Sequence, residues 1–149
     1  MMEFISNSES ETIEFGKKLA SQLHTGDIVV LTGELGSGKT KLTEGLLSYY
    51  GLQNEISSPT FTIVNEHDLP DTKLFHFDVY RIEDIDEFYA IGGEEYFEKG
   101  ISVIEWGEKI IDALPNDYIH IFFSRNDDAP DKRIIKIEVH GSARKGLDL

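Results

Sequence analysis

Residues 33–40 read GELGSGKT, and the architecture of the chain can be worked out from this segment. It fits the phosphate-binding loop pattern G-x-x-x-x-G-K-[ST]. Residues 27–32 before it, DIVVLT, are short, apolar and rich in β-branched side chains, which predicts a buried strand. Residues 41–50 after it contain no proline and are followed by Gly51, which predicts a helix. A strand, a glycine-rich loop and a helix in this order form the context in which the pattern binds nucleotide phosphates.

The chemistry expected of this loop follows from its backbone. Gly33, Gly36 and Gly38 permit torsion angles that other residues resist. Successive N–H groups can then point into one hollow that suits an anion, and the next helix adds unpaired N–H groups and the positive end of its dipole. Lys39 is placed to reach the β- and γ-phosphates, and the Thr40 hydroxyl to coordinate Mg²⁺. We therefore expect ATP and Mg²⁺ as ligands, the alternative being a glycine-rich turn with an incidental Gly-Lys-Thr.

Length and composition predict one domain. The chain has 149 residues, enough for a sizeable core, so we expect a single domain over 1–149 with a loose tail from Gly141. It has no cysteine, which excludes disulfides and a thiolate zinc site. Its first residues, MMEFISNSESE, are acidic and polar, and no segment is long and apolar enough to span a membrane. We expect a cytoplasmic protein without membrane association.

The charge of the chain limits its partners. The formal net charge is −14 and there are four arginines. Direct, tight nucleic-acid binding relies on basic patches, so this composition argues against it. It also leaves few residues for the arginine-rich lid that many small-molecule kinases close over ATP. ATP would therefore have to be held by the local electrostatic field of a few positive groups. Since the chain is acidic, partner proteins with basic surfaces are favoured.

The rest of the chain alternates predicted helices and strands. Ser8 to Glu11 form a capping-box pattern that begins a helix, and Gly26 closes that segment. Two strands joined by the turn LPDT predict a hairpin, and a helical region after it is broken at Gly92 and Gly93. The predicted strands are 61–67, 73–81, 101–106, 117–125 and 132–140, and a short helix covers 107–115. This order predicts an α/β, P-loop NTPase-like three-layer domain with a central mixed, mainly parallel sheet.

Two acidic side chains follow apolar strand residues. Glu105 ends the run ISVIE, where phosphate-loop enzymes place an acid that holds the metal or its water shell. It could instead be an exposed acid at a strand terminus. In HFDVYR, alternation puts His76, Asp78 and Tyr80 on one face and the apolar residues on the other. Asp78 could orient the attacking water or bind the metal through water. The alternative is a half-solvated strand.

Weaker candidates lie elsewhere. The loop SSPTF, with Thr60, could sense the γ-phosphate, or it could be an ordinary loop entering a strand. Trp106 could cover the site or belong to the core. Thr12 could contact the nucleotide or simply lie in a helix. The spacing of His24, His67, His120 and His140 does not match that of metal ligands.

Taken together, GELGSGKT, SPTF, HFDVYR and IEW resemble the TsaE (YjeE) family of bacterial phosphate-loop ATPases. The motifs occur in this order over nearly the whole chain, and the combination is much more specific than the loop alone. The resemblance implies an ATP- and Mg²⁺-binding subunit of the machinery that makes threonylcarbamoyladenosine on tRNA. Such a subunit hydrolyses ATP weakly by itself and supports turnover of the partner proteins TsaB and TsaD. It would meet tRNA only indirectly, through those partners.

The resemblance also implies roles for individual residues. Lys39, Asp78 and Glu105 are the expected catalytic residues, and Thr40 and Glu105 the Mg²⁺ ligands. Thr60 and Trp106 match switch and site-covering positions. The expected phosphate-binding residues are Glu34, Leu35, Gly36, Ser37, Gly38, Lys39 and Thr40. Ser37 departs from the family, which often has alanine there.

Two other functions stay open at this point. A small-molecule kinase would need an acceptor pocket and usually a basic lid, and the sequence indicates neither. A nucleotide-gated binding module would bind ATP without significant turnover. Partner-dependent hydrolysis distinguishes the ATPase from the binding module.

Overall fold

The computed structural model describes residues 2–34, 37–55, 64–126 and 128–141. The strands are β1 (Met2–Ser6), β2 (Ile28–Thr32), β3 (Val64–Asp68), β4 (Lys73–Asp78), β5 (Ile101–Glu105), β6 (Tyr118–Asn126) and β7 (Ala129–His140). The α-helices are α1 (Glu9–Ala20), α2 (Lys39–Tyr49) and α3 (Ile85–Ala90). Short 3₁₀ segments cover Gln53–Glu55, Gly93–Tyr96 and Gly107–Ala113. The expected tail after Gly141 and the whole SSPTF loop, residues 57–61, lie outside the described residues.

The strands form one sheet in the order β1-β7-β6-β2-β5-β4-β3. The four central strands, β6, β2, β5 and β4, pair in parallel. At the edges, β3 pairs with β4, β7 with β6 and β1 with β7, all antiparallel. The short β3–β4 and β6–β7 connections impose these hairpins, because parallel neighbours need a longer crossover. The predicted mixed sheet is confirmed, and its parallel part is the centre.

Strand β2 lies at the centre and is buried on both faces. Val29 and Leu31 pack into a core with α1 and α2, whereas Ile28 and Val30 pack into a second core with α3 and the 3₁₀ segments. This double burial explains why the strand is a continuous apolar run rather than an alternating one. It also places the loop after Thr32 at the middle of the sheet edge. The three-layer architecture predicted from the sequence is confirmed.

Helices α1 and α2 approach closely at two glycines. A Cβ atom on Gly16 would lie 2.4 Å from the carbonyl oxygen of Leu42, and one on Gly45 would lie 2.2 Å from the carbonyl oxygen of Ile13. Any larger residue at either position would therefore push the helices apart. This contact sets the position of α2, whose first residue is Lys39.

Several element boundaries differ from the predictions. Helix α2 begins at Lys39 rather than at residue 41, directly after the glycine loop. Strand β4 ends at Asp78 rather than at Arg81, because the chain turns there and the Tyr80 N–H donates to Asp78 Oδ1 over 3.0 Å. The predicted helix 107–115 is a 3₁₀ segment ending at Ala113. The predicted start of β3 at Phe61 lies outside the described residues.

Strand β1 was not predicted from the sequence. Met2 to Ser6 pair with β7, with Phe4 opposite Ile135. Met2 and Phe4 pack against the first core, whereas Glu3 and Ile5 face away from it and are exposed. The alternation in MEFIS was a usable signal, but a short edge strand depends on a partner far along the chain. Within the described part of the chain, no helix has the length and apolar character needed to cross a membrane.

Candidate functional site

A cavity of about 540 Å³ opens at the carboxyl ends of the parallel strands. It is lined by seven of the predicted site residues: Thr12, Gly38, Lys39, Thr40, Asp78, Glu105 and Trp106. The sheet explains this convergence, since parallel strands end at the same edge and α2 begins there. The site residues predicted on separate elements are thus brought to one place.

The first turn of α2 is open to an anion. Gly38 caps the helix with φ of 116°, in the left-handed region where a side chain would be strained. Gly38 has no side chain, so within the described residues no side-chain cap occupies the first N–H groups of α2. Such N–H groups, at the positive end of a helix, favour phosphate.

Lys39 lies across the mouth of the loop. Its Nζ donates a hydrogen bond to the Gly33 carbonyl over 2.7 Å and lies 3.9 Å from the centroid of the Trp106 ring. Burial lowers the pKa of Lys39, while the nearby carboxylates of Glu105, Glu108 and Asp78 act in the opposite direction. The cation is therefore held by a carbonyl and an aromatic face close to two of the predicted site acids.

Glu105 is held by a buried histidine. Strands β4 and β5 are in register so that Asp78 lies opposite Glu105. The Nε2 atom of His76 lies 2.6 Å from Glu105 Oε2, with the histidine side chain 2% and the glutamate side chain 9% exposed. A carboxylate at that depth needs a partner, and His76 supplies it. Glu105 is therefore not an exposed strand terminus.

The face prediction for HFDVYR holds as far as Asp78. Phe75 and Phe77 pack in the second core, and His76 and Asp78 lie on the opposite face. Tyr80 does not belong to that face, because the strand has already ended. It is 52% exposed, and its ring centroid lies 4.9 Å from that of Trp106.

Trp106 packs against the core and also lines the cavity, and its role in covering the site stays a prediction. Its half-buried ring packs against the second core and also lies under the Lys39 ammonium. It is the only non-glycine residue in the described chain with a positive φ, at 64°. Its N–H donates to the Leu31 carbonyl over 3.0 Å, which ties the turn after β5 to β2. Strained backbone of this kind is common where a side chain must be aimed at a site.

Thr12 lies at the cavity wall, but its hydroxyl is already engaged. Thr12 Oγ1 lies 2.7 Å from Ser6 Oγ and 3.4 Å from the Ser8 carbonyl. Ser8 caps α1, with its Oγ accepting from the Glu11 N–H over 3.1 Å, as the capping-box pattern predicted. The nucleotide contact suggested for Thr12 stays a prediction.

Of the other residues predicted to bind phosphate, the structure describes Glu34 and Ser37. Glu34 is exposed and does not line the cavity. Ser37 is 1% exposed, and its Oγ is buried with no hydrogen-bond partner among the described atoms. Leu35, Gly36 and Thr60 lie outside the described residues, so their predicted roles stay predictions.

Residues from both ends of the chain line the cavity without having been predicted. Asp131 and Arg133 come from the start of β7, and Asn7 to Ser10 from the turn before α1 and its first two residues. A Cβ on Gly38 would lie 3.9 Å from Arg133 Cγ, so the arginine stem passes the loop. Strand pairing alone brings these segments to this edge, and no local pattern indicated it.

Local charge resolves the apparent conflict with a net charge of −14. Three cations, Lys39, Lys41 and Arg133, line the cavity. Lys41 also pairs with Glu44 over 3.2 Å and with Glu9 over 3.7 Å. The cavity therefore offers positive groups for an anion beside carboxylates for a cation.

The topology, with a glycine loop between the central strand and a helix, defines a P-loop NTPase-like α/β fold. The chain matches the family described as "Threonylcarbamoyl adenosine biosynthesis protein TsaE" over residues 6–135. The chain belongs to the TsaE family, which confirms the resemblance in the motifs.

Individual relatives agree with this assignment. The tRNA threonylcarbamoyladenosine biosynthesis protein TsaE of Rickettsia bellii is 37% identical over 134 residues, covering 89% of this chain and 92% of the relative. The protein of the same description from Haemophilus influenzae is 39% identical over 133 residues, covering 85% of this chain and 84% of the relative. The crystal structure of Bacillus subtilis YdiB superposes with a TM-score of 0.77 at 29% identity, covering 98% and 90% of the two chains.

Proposed function

We propose that this protein is the ATP-binding and ATP-hydrolysing subunit of the machinery that makes threonylcarbamoyladenosine on tRNA. Family membership supports the pathway, since relatives are described as tRNA threonylcarbamoyladenosine biosynthesis proteins. The observation that carries the ATPase proposal is the meeting of Lys39 and Thr40, at the start of α2, with Asp78 and Glu105 around one cavity. Its turnover would support the partner proteins TsaB and TsaD, which would contact the tRNA.

The residues that line the cavity support Mg²⁺ and a phosphate chain as its ligands. The Thr40 hydroxyl and the Glu105 carboxylate line the same cavity, and hard oxygen donors of this kind suit Mg²⁺. When bound, the ion would neutralise charge on the phosphate oxygens. Thr40 and Glu105 are the residues that would hold it, and the bond from His76 orients the Glu105 carboxylate.

The chain's own groups would carry out the electrostatic part of catalysis. The N–H groups at the start of α2 would bind phosphate oxygens, and Lys39 would stabilise the charge on the transferring phosphoryl group. Asp78 lies beside Glu105 in the sheet register and would orient the attacking water. Trp106, whose ring centroid lies 3.9 Å from Lys39 Nζ, would cover the site and limit the access of solvent to Lys39. Most of the rate enhancement would thus come from positioned charges and dipoles.

Phosphate release from Mg·ATP by the full chain tests the proposal. The protein is assayed alone, with TsaB and TsaD together, and with each partner singly. Slow release that rises sharply with both partners is the expected result. Tight ATP binding with only background release in every mixture would favour a nucleotide-gated binding module instead. ATP consumption that depends on an added hydroxyl compound would favour a small-molecule kinase.

A further inference from the structure

Three potential metal ligands meet on the face of β6 and β7 that is turned away from the first core. They are His120 on β6 and Glu138 and His140 on β7, and one ligand atom of each lies within 4.8 Å of the other two. His120 is directly opposite Glu138, and His140 is two residues further along β7. Residues two apart on a strand share a face, so the group results from the hairpin register. The sequence spacing had suggested no metal site because the ligands come from two strands.

His120 is held in a form suited to metal binding. It is 7% exposed, and burial lowers its pKa, with Glu138 acting in the opposite direction and His140 in the same direction. This direction favours the neutral imidazole, which is the form that binds a metal. Its Nε2 lies 2.8 Å from Thr32 Oγ1. A hydrogen bond of this kind commonly fixes the tautomer and orientation of a metal-bound histidine.

One ring nitrogen of His140 has no hydrogen-bond partner among the described residues. Its Nε2 is buried and makes no hydrogen bond among the described atoms, although it lies 3.4 Å from Glu138 Oε2. At this distance the two groups can form an ion pair, but their geometry is not that of a hydrogen bond. The ring stacks on Tyr118 with centroids 4.3 Å apart and an interplanar angle of 9°. Stacking restricts the ring while the nitrogen remains beside the Glu138 carboxylate.

We propose that His120, Glu138 and His140 form a Zn²⁺ site separate from the nucleotide cavity. Two imidazoles and one carboxylate match the donors that zinc takes in proteins, whereas Mg²⁺ prefers oxygen ligands alone. Zn–ligand bonds of about 2.0–2.2 Å place the ligand atoms of a tetrahedral site roughly 3.3–3.6 Å apart. The present separations are within 4.8 Å, so small side-chain rotations are enough. The partly exposed face leaves the fourth position to water.

Zinc at this site would join β6 to β7. Because His120 also contacts Thr32, the bound ion would restrain the end of β2 as well, directly before the glycine loop. An ion that binds the folded chain and not the unfolded one stabilises it in proportion to the logarithm of its concentration. Zinc should therefore raise the melting temperature in the absence of any nucleotide.

Isothermal titration of the nucleotide-free full chain with Zn²⁺, in excess Mg²⁺, tests the proposal. The expected result is one equivalent of bound zinc and a raised melting temperature. His140→Gln and Glu138→Gln should each weaken zinc binding by at least about tenfold, by analogy with the losses seen on altering zinc sites. His24→Gln is the matched control, because His24 is exposed and belongs to no such group in the described chain. Circular dichroism without metal checks that each variant is folded.

A second measurement locates the ion. Zinc should shift the imidazole ¹⁵N resonances of His120 and His140 and leave those of His24 unchanged. The Glu105→Gln variant should bind zinc as the unmodified chain does. Zinc bound equally well by His140→Gln, no saturable uptake in excess Mg²⁺, or uptake lost in Glu105→Gln instead would each overturn the proposal.

Discussion

The Nε2 atom of His76 lies 2.6 Å from Oε2 of Glu105, and both side chains are buried beside the cavity. The two residues come from neighbouring parallel strands, and Glu105 lies opposite Asp78 in the register. His76 therefore positions a carboxylate to which the proposed mechanism assigns the metal. The histidine of HFDVYR does not line the cavity itself, so in the proposed mechanism it would act through Glu105.

Removing His76 should reduce both stability and activity. His76→Ala leaves the Glu105 carboxylate without its buried partner, which should lower the free energy of unfolding by about 1–3 kcal/mol. Urea unfolding measures this loss. His76→Gln, which can still donate a hydrogen bond, should recover part of it. Equal stability of His76→Ala and the unmodified chain would show that the 2.6 Å contact contributes nothing.

Loss of Lys39 or Glu105 should abolish hydrolysis without unfolding the chain. Lys39→Ala removes the cation at the loop and Glu105→Ala the acid across the cavity, so each should slow phosphate release about 100-fold or more. Lys99→Ala serves as the control, because Lys99 is exposed and does not line the cavity. If either site variant kept full hydrolysis while its circular dichroism matched that of the unmodified chain, the assignment of that residue would be wrong.

Adding a side-chain atom at the α1–α2 contact should lower the stability of the fold. Gly45→Ala would place a Cβ 2.2 Å from the Ile13 carbonyl, and the resulting strain should destabilise the fold by about 1–3 kcal/mol. The expected loss is opposite in sign to the stabilisation of about 1 kcal/mol that replacing glycine by alanine normally gives in a helix interior. Ser48→Ala, on the same helix, should show a smaller gain of the same kind, of at most about 0.7 kcal/mol. Thermal unfolding of the two variants should move in opposite directions, and a stabilised Gly45→Ala would contradict the close contact.

Ser37→Ala should be neutral or stabilising. The Ser37 hydroxyl is buried without a partner among the described atoms, so removing it should raise the free energy of unfolding by up to about 1 kcal/mol. Chemical denaturation measures the change, and phosphate release should be unaltered because the loop binds through its backbone. Reduced release in a fully folded Ser37→Ala chain would instead mean that the hydroxyl contacts the nucleotide.

His67 should make stability depend on pH in weak acid. Burial lowers the pKa of His67 below its ordinary value of 6.5, with His76 acting in the same direction and Glu55 against it. Between the folded and unfolded pKa values the unfolded chain binds more protons, so stability is lost as the pH falls below 6.5. His67→Asn should flatten this part of the profile. Parallel denaturation curves at several pH values test the difference, and identical profiles would contradict it.

The predictions that succeeded rest on local patterns. The strand before the loop, the capping box at Ser8 and the alternation in HFDVYR are each determined within a few residues, because period and capping chemistry are short-range. Lys39 after the loop and the acids Asp78 and Glu105 in their predicted strands were the candidates for one site, and all three line one cavity in the structure. Boundaries were less accurate, and Tyr80 was assigned to a strand that ends two residues earlier.

The features that were missed depend on contacts between distant segments. Strand β1, the cavity positions of Asp131 and Arg133, and the cluster of His120, Glu138 and His140 all arise from pairing with β6 or β7. The sequence alone determined the kind of fold and predicted a phosphate-binding loop, because glycine torsions and strand periodicity act locally. Tertiary structure decided which side chains share the cavity and which buried polar groups pair with one another. The reason is that strand register and helix contacts bring together residues that no local pattern connects.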